Sequence, residues 1–277
     1  MAISVNTNQP ALIALQNLNK VTDDLSMTQN KINTGLKIAS ARDNASVYAI
    51  AQKQRASISA LGAVTDSLNR ATSIADVANA AGQTISDLLN TMKQKVVAAM
   101  DPSNDATSRA ALNADFRASI RQIQQVIQNS AFDGANILDG SLPNGLRFIA
   151  NAEANSFVTL AGQDLSLGGS IITFGGTATI NSVTAATAVL AQLNSSIVNT
   201  NAALANIGAQ SNQITSHNKF VTKLVDALTV GIGNLVDADM AKESAKLQAL
   251  QVQQQLSAQA LSIANQSPQI VLSLFKG

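Results

Sequence analysis

The chain has 277 residues, with 18 Lys and Arg against 17 Asp and Glu, and its net charge of +1 provides no bulk field for nucleic acid or an anionic membrane. It has no Cys and one His, which excludes a disulfide framework, a thiolate centre and a cysteine nucleophile and leaves little for zinc. Seven Phe, one Tyr and no Trp stand beside 46 Ala, so the apolar 46% is mostly small and aliphatic and suits closely packed helices.

The opening Met-Ala-Ile-Ser-Val-Asn-Thr-Asn lacks the basic stretch, apolar run and cleavage site of a general secretory signal, so export would need another route. An apolar stripe follows at helical spacing: Leu12, Leu15, Leu18, Leu25 and Ile32. From residue 47 two rows recur at intervals of seven. One is Leu61, Leu68, Ala75, Gly82, Leu89 and Val96; the other is Ile50, Val64, Ala71, Ala78, Ile85, Met92 and Ala99. This heptad seam predicts a helix from about 45 to 100, with Asp43-Asn44 as its start signal and Asp101-Pro102-Ser103-Asn104 as its stop. A second helix carries Leu112, Phe116, Ile120, Ile123 and Ile127 on one face.

Residues 131–140, Ala-Phe-Asp-Gly-Ala-Asn-Ile-Leu-Asp-Gly, end the helical pattern with turn chemistry. Short runs rich in Val, Ile, Phe and Thr at 146–150, 156–161 and 170–174 predict strands, with Gly168-Gly169 and Gly175-Gly176 as turns. The β region is placed at 141–182. Helical periodicity resumes near Ala185, runs through Leu193, Leu204, Ile207, Ile214, Val221, Val225 and Leu228, and is expected to stop near Gly231-Ile-Gly233. A last helix places Ala249, Val252, Leu256, Ile263, Ile270 and Leu274 on one face. The fold class is therefore mainly α, a long antiparallel helical coiled-coil bundle with a small β-hairpin region in the middle of the chain. Residues 1–44 with 232–277 are expected to form a terminal inner coiled-coil domain, and 45–231 a helical shell domain.

Charge placement singles out the ends. No charged side chain precedes Lys20, and none lies between Lys246 and Lys276. Eight Gln within 247–275 are too many amides for a membrane span, so these stripes are expected to face protein. The two stripes could pair with each other within the chain or with those of neighbouring copies.

At the level of motifs, residues 33–45, Asn-Thr-Gly-Leu-Lys-Ile-Ala-Ser-Ala-Arg-Asp-Asn-Ala, resemble the N-terminal signature of bacterial flagellins. Residues 131–140 resemble the family's Phe-Asn-Gly-x-x-Leu-Leu-Asp-Gly turn, with Asp133 for Asn and Ile137 for the first Leu. Segments 235–244 and 264–275 resemble its C-terminal blocks. The resemblance covers about 1–140 and 190–277 and is strong because four blocks occur in order. It implies a secreted, self-assembling filament subunit whose terminal segments pair as an inner coiled coil lining a channel. It also implies a homopolymer with other flagellin subunits, flagellar export machinery with an export chaperone, and hook-associated and cap proteins as partners. The alternatives are a hook-filament junction protein, which the short middle argues against, and a secreted helical adhesin or binding module. The site residues expected to carry self-assembly are those of the two terminal stripes, Leu12 to Ile32 and Val252 to Leu274.

No catalytic, metal or cofactor site is expected, and no enzyme activity. His217 reads as a structural or solvated imidazole. Asp237, Asp239 and Glu243 read as carboxylates at a helix start, and Arg117 and Arg121 as a charged face. Ser and Thr of the β region are candidates for O-linked sugar. In flagellins sensed by the mammalian toll-like receptor, the end of the long helix reads Leu-Gln-Arg-Val/Ile-Arg-Glu-Leu. Aligned with it are Leu89, Asn90, Thr91, Met92, Lys93, Gln94 and Lys95, which keep only the basic character at Lys93. Weak or absent receptor activation is expected, with an unpaired charge at Lys95 as one cause.

Overall fold

A computed structural model describes residues 7–274, with side chains to 266. In chain order it contains α1 (Gln9–Thr34), α2 (Ala45–Ala99), α3 (Ala106–Asn129), β1 (Leu146–Ile149), β2 (Phe157–Leu160), α4 (Val183–Val236) and α5 (Met240–Leu274). The chain divides into two compact units, Met1–Ala56 with Ala227–Gly277 and Ser57–Asp226.

In the first unit α1 and α5 pack together and run antiparallel, as two contacts between them and a third between Lys37, just beyond α1, and Asn234, at the end of α4, show. Asn8 Nδ2 donates to Ala264 O at 2.8 Å, Lys31 lies 4.0 Å from Glu243, and Lys37 Nζ donates to Asn234 O at 3.0 Å. Asn8 Oδ1 accepts from Ala11 N and caps α1, Pro10 sits in its first turn, and Gly35 ends it in the left-handed conformation at φ 71. The less exposed positions of α1 include Ala11, Ala14, Leu18, Val21, Leu25, Thr28 and Ile32, and those of α5 include Leu247, Leu250, Gln254, Ser257, Leu261 and Ala264. Spacings alternate between three and four, so each helix contributes a heptad seam.

In the second unit α2 and α4 run antiparallel, tied by Asn218 Nδ2 to Asn69 Oδ1 at 2.7 Å and by Ser86 Oγ to Asn201 Oδ1 at 3.2 Å. They approach closely at Gly82, where a Cβ would stand 2.5 Å from Leu204 Cδ2. Both heptad rows of α2 are buried from Leu61 to Ala99. Ile50, on the part of α2 that belongs to the first unit, departs from its row and is exposed, because the neighbouring Ala51 takes the buried position at that level. Phe116, Ile120, Ile123 and Ile127 of α3 are buried, with the Phe116 ring 6.4 Å from that of Phe174. Between α2 and α3, Arg109 Nε donates to Ala99 O at 3.0 Å, and Nη2 to Asp101 O and Asn104 O at 3.2 Å, so a guanidinium satisfies carbonyls that the helix end leaves unpaired.

β1 and β2 form an antiparallel hairpin in the register Leu146↔Leu160 to Ile149↔Phe157. The third predicted strand, 170–174, is not one: it makes an isolated bridge, Leu167↔Ile172, and its backbone is satisfied by helical side chains instead. Ser196 Oγ accepts from Thr173 N at 3.0 Å, and Asn199 Nδ2 donates to Ser170 O at 3.2 Å. The apolar alternation there has another cause, since Ile172 and Phe174 insert into the core. Helix α4 also passes the predicted stop at Gly231-Ile-Gly233, because buried Ile232 and Val236 offset the roughly 1 kcal/mol cost of each mid-helix Gly.

Candidate assembly surface

Around the first unit, two connectors are joined. Ala238 N donates to Gly35 O at 2.8 Å, and Lys37 N to Val236 O at 2.8 Å, across the Leu36↔Asp237 bridge. Within 33–45, Asp43 Oδ2 accepts from Ala39 N at 3.0 Å and from Ser40 N at 2.8 Å. The Ser40 amide, chiefly, holds the Asp43 carboxyl below its ordinary pKa. Asn44 Oδ1 then accepts from Val47 N and caps α2. On the other connector Asp239 Oδ1 accepts from Ala241 N and Lys242 N at 3.1 Å and so caps α5.

The large aliphatic residues of the terminal stripes are divided by this pairing. Leu18, Leu25 and Ile32 lie on the α1 seam and are half-buried. Leu12 and Leu15 lie off it and are 53% and 42% exposed. On α5 the seam takes a different row from the predicted stripe, leaving Val252, Leu256 and Ile263 55%, 64% and 61% exposed. Ile270 and Leu274 belong to the helical backbone of α5, but their side chains lie outside the described residues. The seam row of α5 mixes Leu247, Leu250 and Leu261 with Gln254, Ser257 and Ala264, and these pack against Leu18, Leu25, Ile32 and the small residues Ala11 and Ala14 of the α1 row. A groove of about 460 Å3 remains between the helices, lined by Pro10, Ile13 and Ala14 of α1 and by Ser257, Ala260 and Ala264 of α5.

In the second unit, motif 131–140 is organised by a residue that periodicity does not reveal. Buried Asn136 donates from Nδ2 to Ile127 O at 2.7 Å and accepts at Oδ1 from Leu138 N at 2.9 Å, closing the end of α3. Asp133 takes a left-handed φ of 50, a conformation that Asn and Gly adopt more readily. In the receptor-related segment Leu89 and Met92 are buried in the bundle, and Asn90, Thr91, Lys93 and Gln94 are exposed. The expected unpaired charge is corrected, because Lys95 Nζ donates to Asp115 Oδ2 at 2.7 Å.

His217 Nε2 lies 2.7 Å from Ala150 O, joining α4 to the end of β1, and Arg117 and Arg121 are exposed. Among the described residues there is no group of three or more His, Cys, Asp or Glu able to hold a metal ion, and no helix is long and apolar enough to cross a membrane.

Paired chain ends with uncharged aliphatic side chains on their outside, joined to long helices with a small hairpin, define a helical structural subunit. Comparison with known proteins makes that class specific. Residues 5–142 match the bacterial flagellin N-terminal helical region, and 190–275 the bacterial flagellin C-terminal helical region. Flagellin FljJ of Caulobacter vibrioides is 50% identical over 279 residues, covering 100% of both chains. Flagellin FljM of the same organism is 46% identical over 273 residues, covering 99% of this chain and 98% of its own. A flagellin of Brucella melitensis is 36% identical over 283 residues, covering 99% of each. The chain belongs to the bacterial flagellin family and is a structural subunit of the flagellar filament.

Proposed function

We propose that the terminal segments, 1–44 with 232–277, make the contacts that polymerise the filament along its inner wall, and that 45–231 forms the surrounding helical shell. Leu18, Leu25 and Ile32 hold α1 against α5. Leu12, Leu15, Val252, Leu256 and Ile263, continued by Ile270 and Leu274, bury themselves against neighbouring copies. The observation that carries this reading is the exposure of Val252, Leu256 and Ile263 in a stretch without a single charge. A carboxylate introduced there would lose its hydration in every subunit contact, at several kcal/mol each time. Leu256→Asp and Ile263→Asp should therefore raise the critical concentration for polymerisation far more than Gln253→Asp. Equal critical concentrations in a sedimentation assay would refute the assignment.

The protein acts without cofactor or catalytic centre, outside the cell, after passage through flagellar export machinery with an export chaperone and hook-associated and cap proteins as its other partners. Its receptor-related segment lacks the Arg at Thr91 and the carboxylate at Gln94 that the sensed flagellins present, and both positions are exposed. Losing these two polar anchors predicts weak receptor activation.

A further inference from the structure

The sequence contains one Asn-Gly pair, Asn144-Gly145, which neither the helical seams nor the assembly surface uses. We propose that Asn144 is a site of spontaneous succinimide formation, and that the turn holding it gates the reaction. In this chemistry the Gly145 backbone nitrogen, having lost its proton to solvent, attacks Cγ of Asn144. The N–Cγ bond forms as the Cγ–Nδ2 bond breaks, and Nδ2 leaves as ammonia after taking a proton from water. Water then opens the ring at either carbonyl and leaves aspartate or isoaspartate. No oxidant or reductant takes part. A following Gly favours the attack, because no Cβ shields its nitrogen.

The setting both permits the chemistry and restrains it. Asn144 is exposed, so water reaches its amide. Gly145 N, the attacking atom, is engaged: it donates to Leu142 O at 2.9 Å across a turn with Pro143 inside it. Gly145 is held at φ +68, and the space beside its Cα is closed by the carbonyl of Leu160 and by Ala161 Cα. Attack on Asn144 requires that hydrogen bond to open and the glycine to lift from β2. Reaction in the folded chain therefore proceeds through local opening of the 142–145 turn. The products matter to the fold. An added carboxylate removes the net charge of +1, and isoaspartate inserts a backbone methylene two residues before Leu146, which pairs with Leu160. Accumulated conversion would thus mark the age of a subunit and loosen its hairpin.

The full-length protein can be incubated at mildly alkaline pH, native and in concentrated urea, and its tryptic fragment 122–147 sequenced by mass spectrometry. In urea Asn144 should convert faster than any other Asn, and native folding should slow it by roughly tenfold or more. Pro143→Gly, which loosens the turn, should raise the native rate several-fold with the circular dichroism unchanged, and Asn144→Gln should abolish the signal at this position. Native and urea rates within twofold of each other, or an unchanged native rate in Pro143→Gly, would overturn the gate. Faster conversion in urea at another Asn would overturn the site.

Discussion

The two units use the same helical periodicity to opposite ends. The second buries Leu61, Leu68, Ile85, Leu89 and Met92 of α2 with Phe116 and Phe174, a continuous core of large side chains. In the first, the apolar residues buried among those described are Ala51, Ile232, Val236 and Leu250, and the seam between α1 and α5 includes Thr28, Gln254 and Ser257. Each ordered backbone residue costs about 1–2 kcal/mol, and side chains that stay half-exposed return only part of it. One unit thus buries a continuous core, whereas the other leaves Leu12, Leu15, Val252, Leu256 and Ile263 exposed, the residues proposed above to meet neighbouring copies.

The most severe way to break this contrast is deletion of residues 251–277. Polymerisation should be lost entirely while α2, α3 and α4 keep their helical signal, so filaments formed by the truncated protein would contradict it. In the intact monomer, hydrogen exchange should release the amides of α1 and α5 well before those of α2 within the second unit. Uniform protection across both units would remove the distinction.

Gly145→Ala should destabilise the second unit by about 2–3 kcal/mol, because the new Cβ meets the Leu160 carbonyl at a left-handed φ. It should leave the α1 and α5 amides unchanged, and thermal denaturation with exchange data would check both. A smaller effect of opposite sign comes from two buried hydroxyls, Thr200 Oγ1 and Thr28 Oγ1, which have no hydrogen-bond partner among the described residues. Thr200→Val should raise the stability of the second unit by roughly 1 kcal/mol, and Thr28→Val should slow exchange of α1. A loss of stability in both would show that the hydroxyls are satisfied.

The smallest effect is pH-dependent. Backbone amides lower the Asp43 pKa, chiefly that of Ser40, and the Asp101 pKa, chiefly that of Ser103. A lowered folded pKa gives stability that is complete above the unfolded value and lost as pH falls through the folded one, so both loops should loosen only below about pH 4. Asp43→Asn should remove the acid transition at Ser40 and leave that at Ser103 intact, as amide chemical shifts would show.

Most of the fold was legible because it is local. The heptads of α2 repeat in sequence whatever packs against them, and the turn signals at Asp101-Pro102 and at 131–140 act within a few residues. The absence of charge from both ends is likewise legible in the sequence. What sequence could not rank was which of two helical rows on α5 turns inward. Val252, Leu256 and Ile263 form one apolar row and Leu247, Leu250 and Leu261 another, and the second faces α1, because the fit of two helices is a property of the pair. Tertiary structure also decided where long-range hydrogen bonds replaced local ones. Arg109 closes α2 from the following helix, Asn136 closes α3 from the following loop, and Ser196 and Asn199 hold 170–173 where a strand partner was predicted. These amides, hydroxyls and guanidinium carry no periodicity of their own. Their role exists only once distant backbone groups have been brought within about 3 Å, which sequence spacing does not encode.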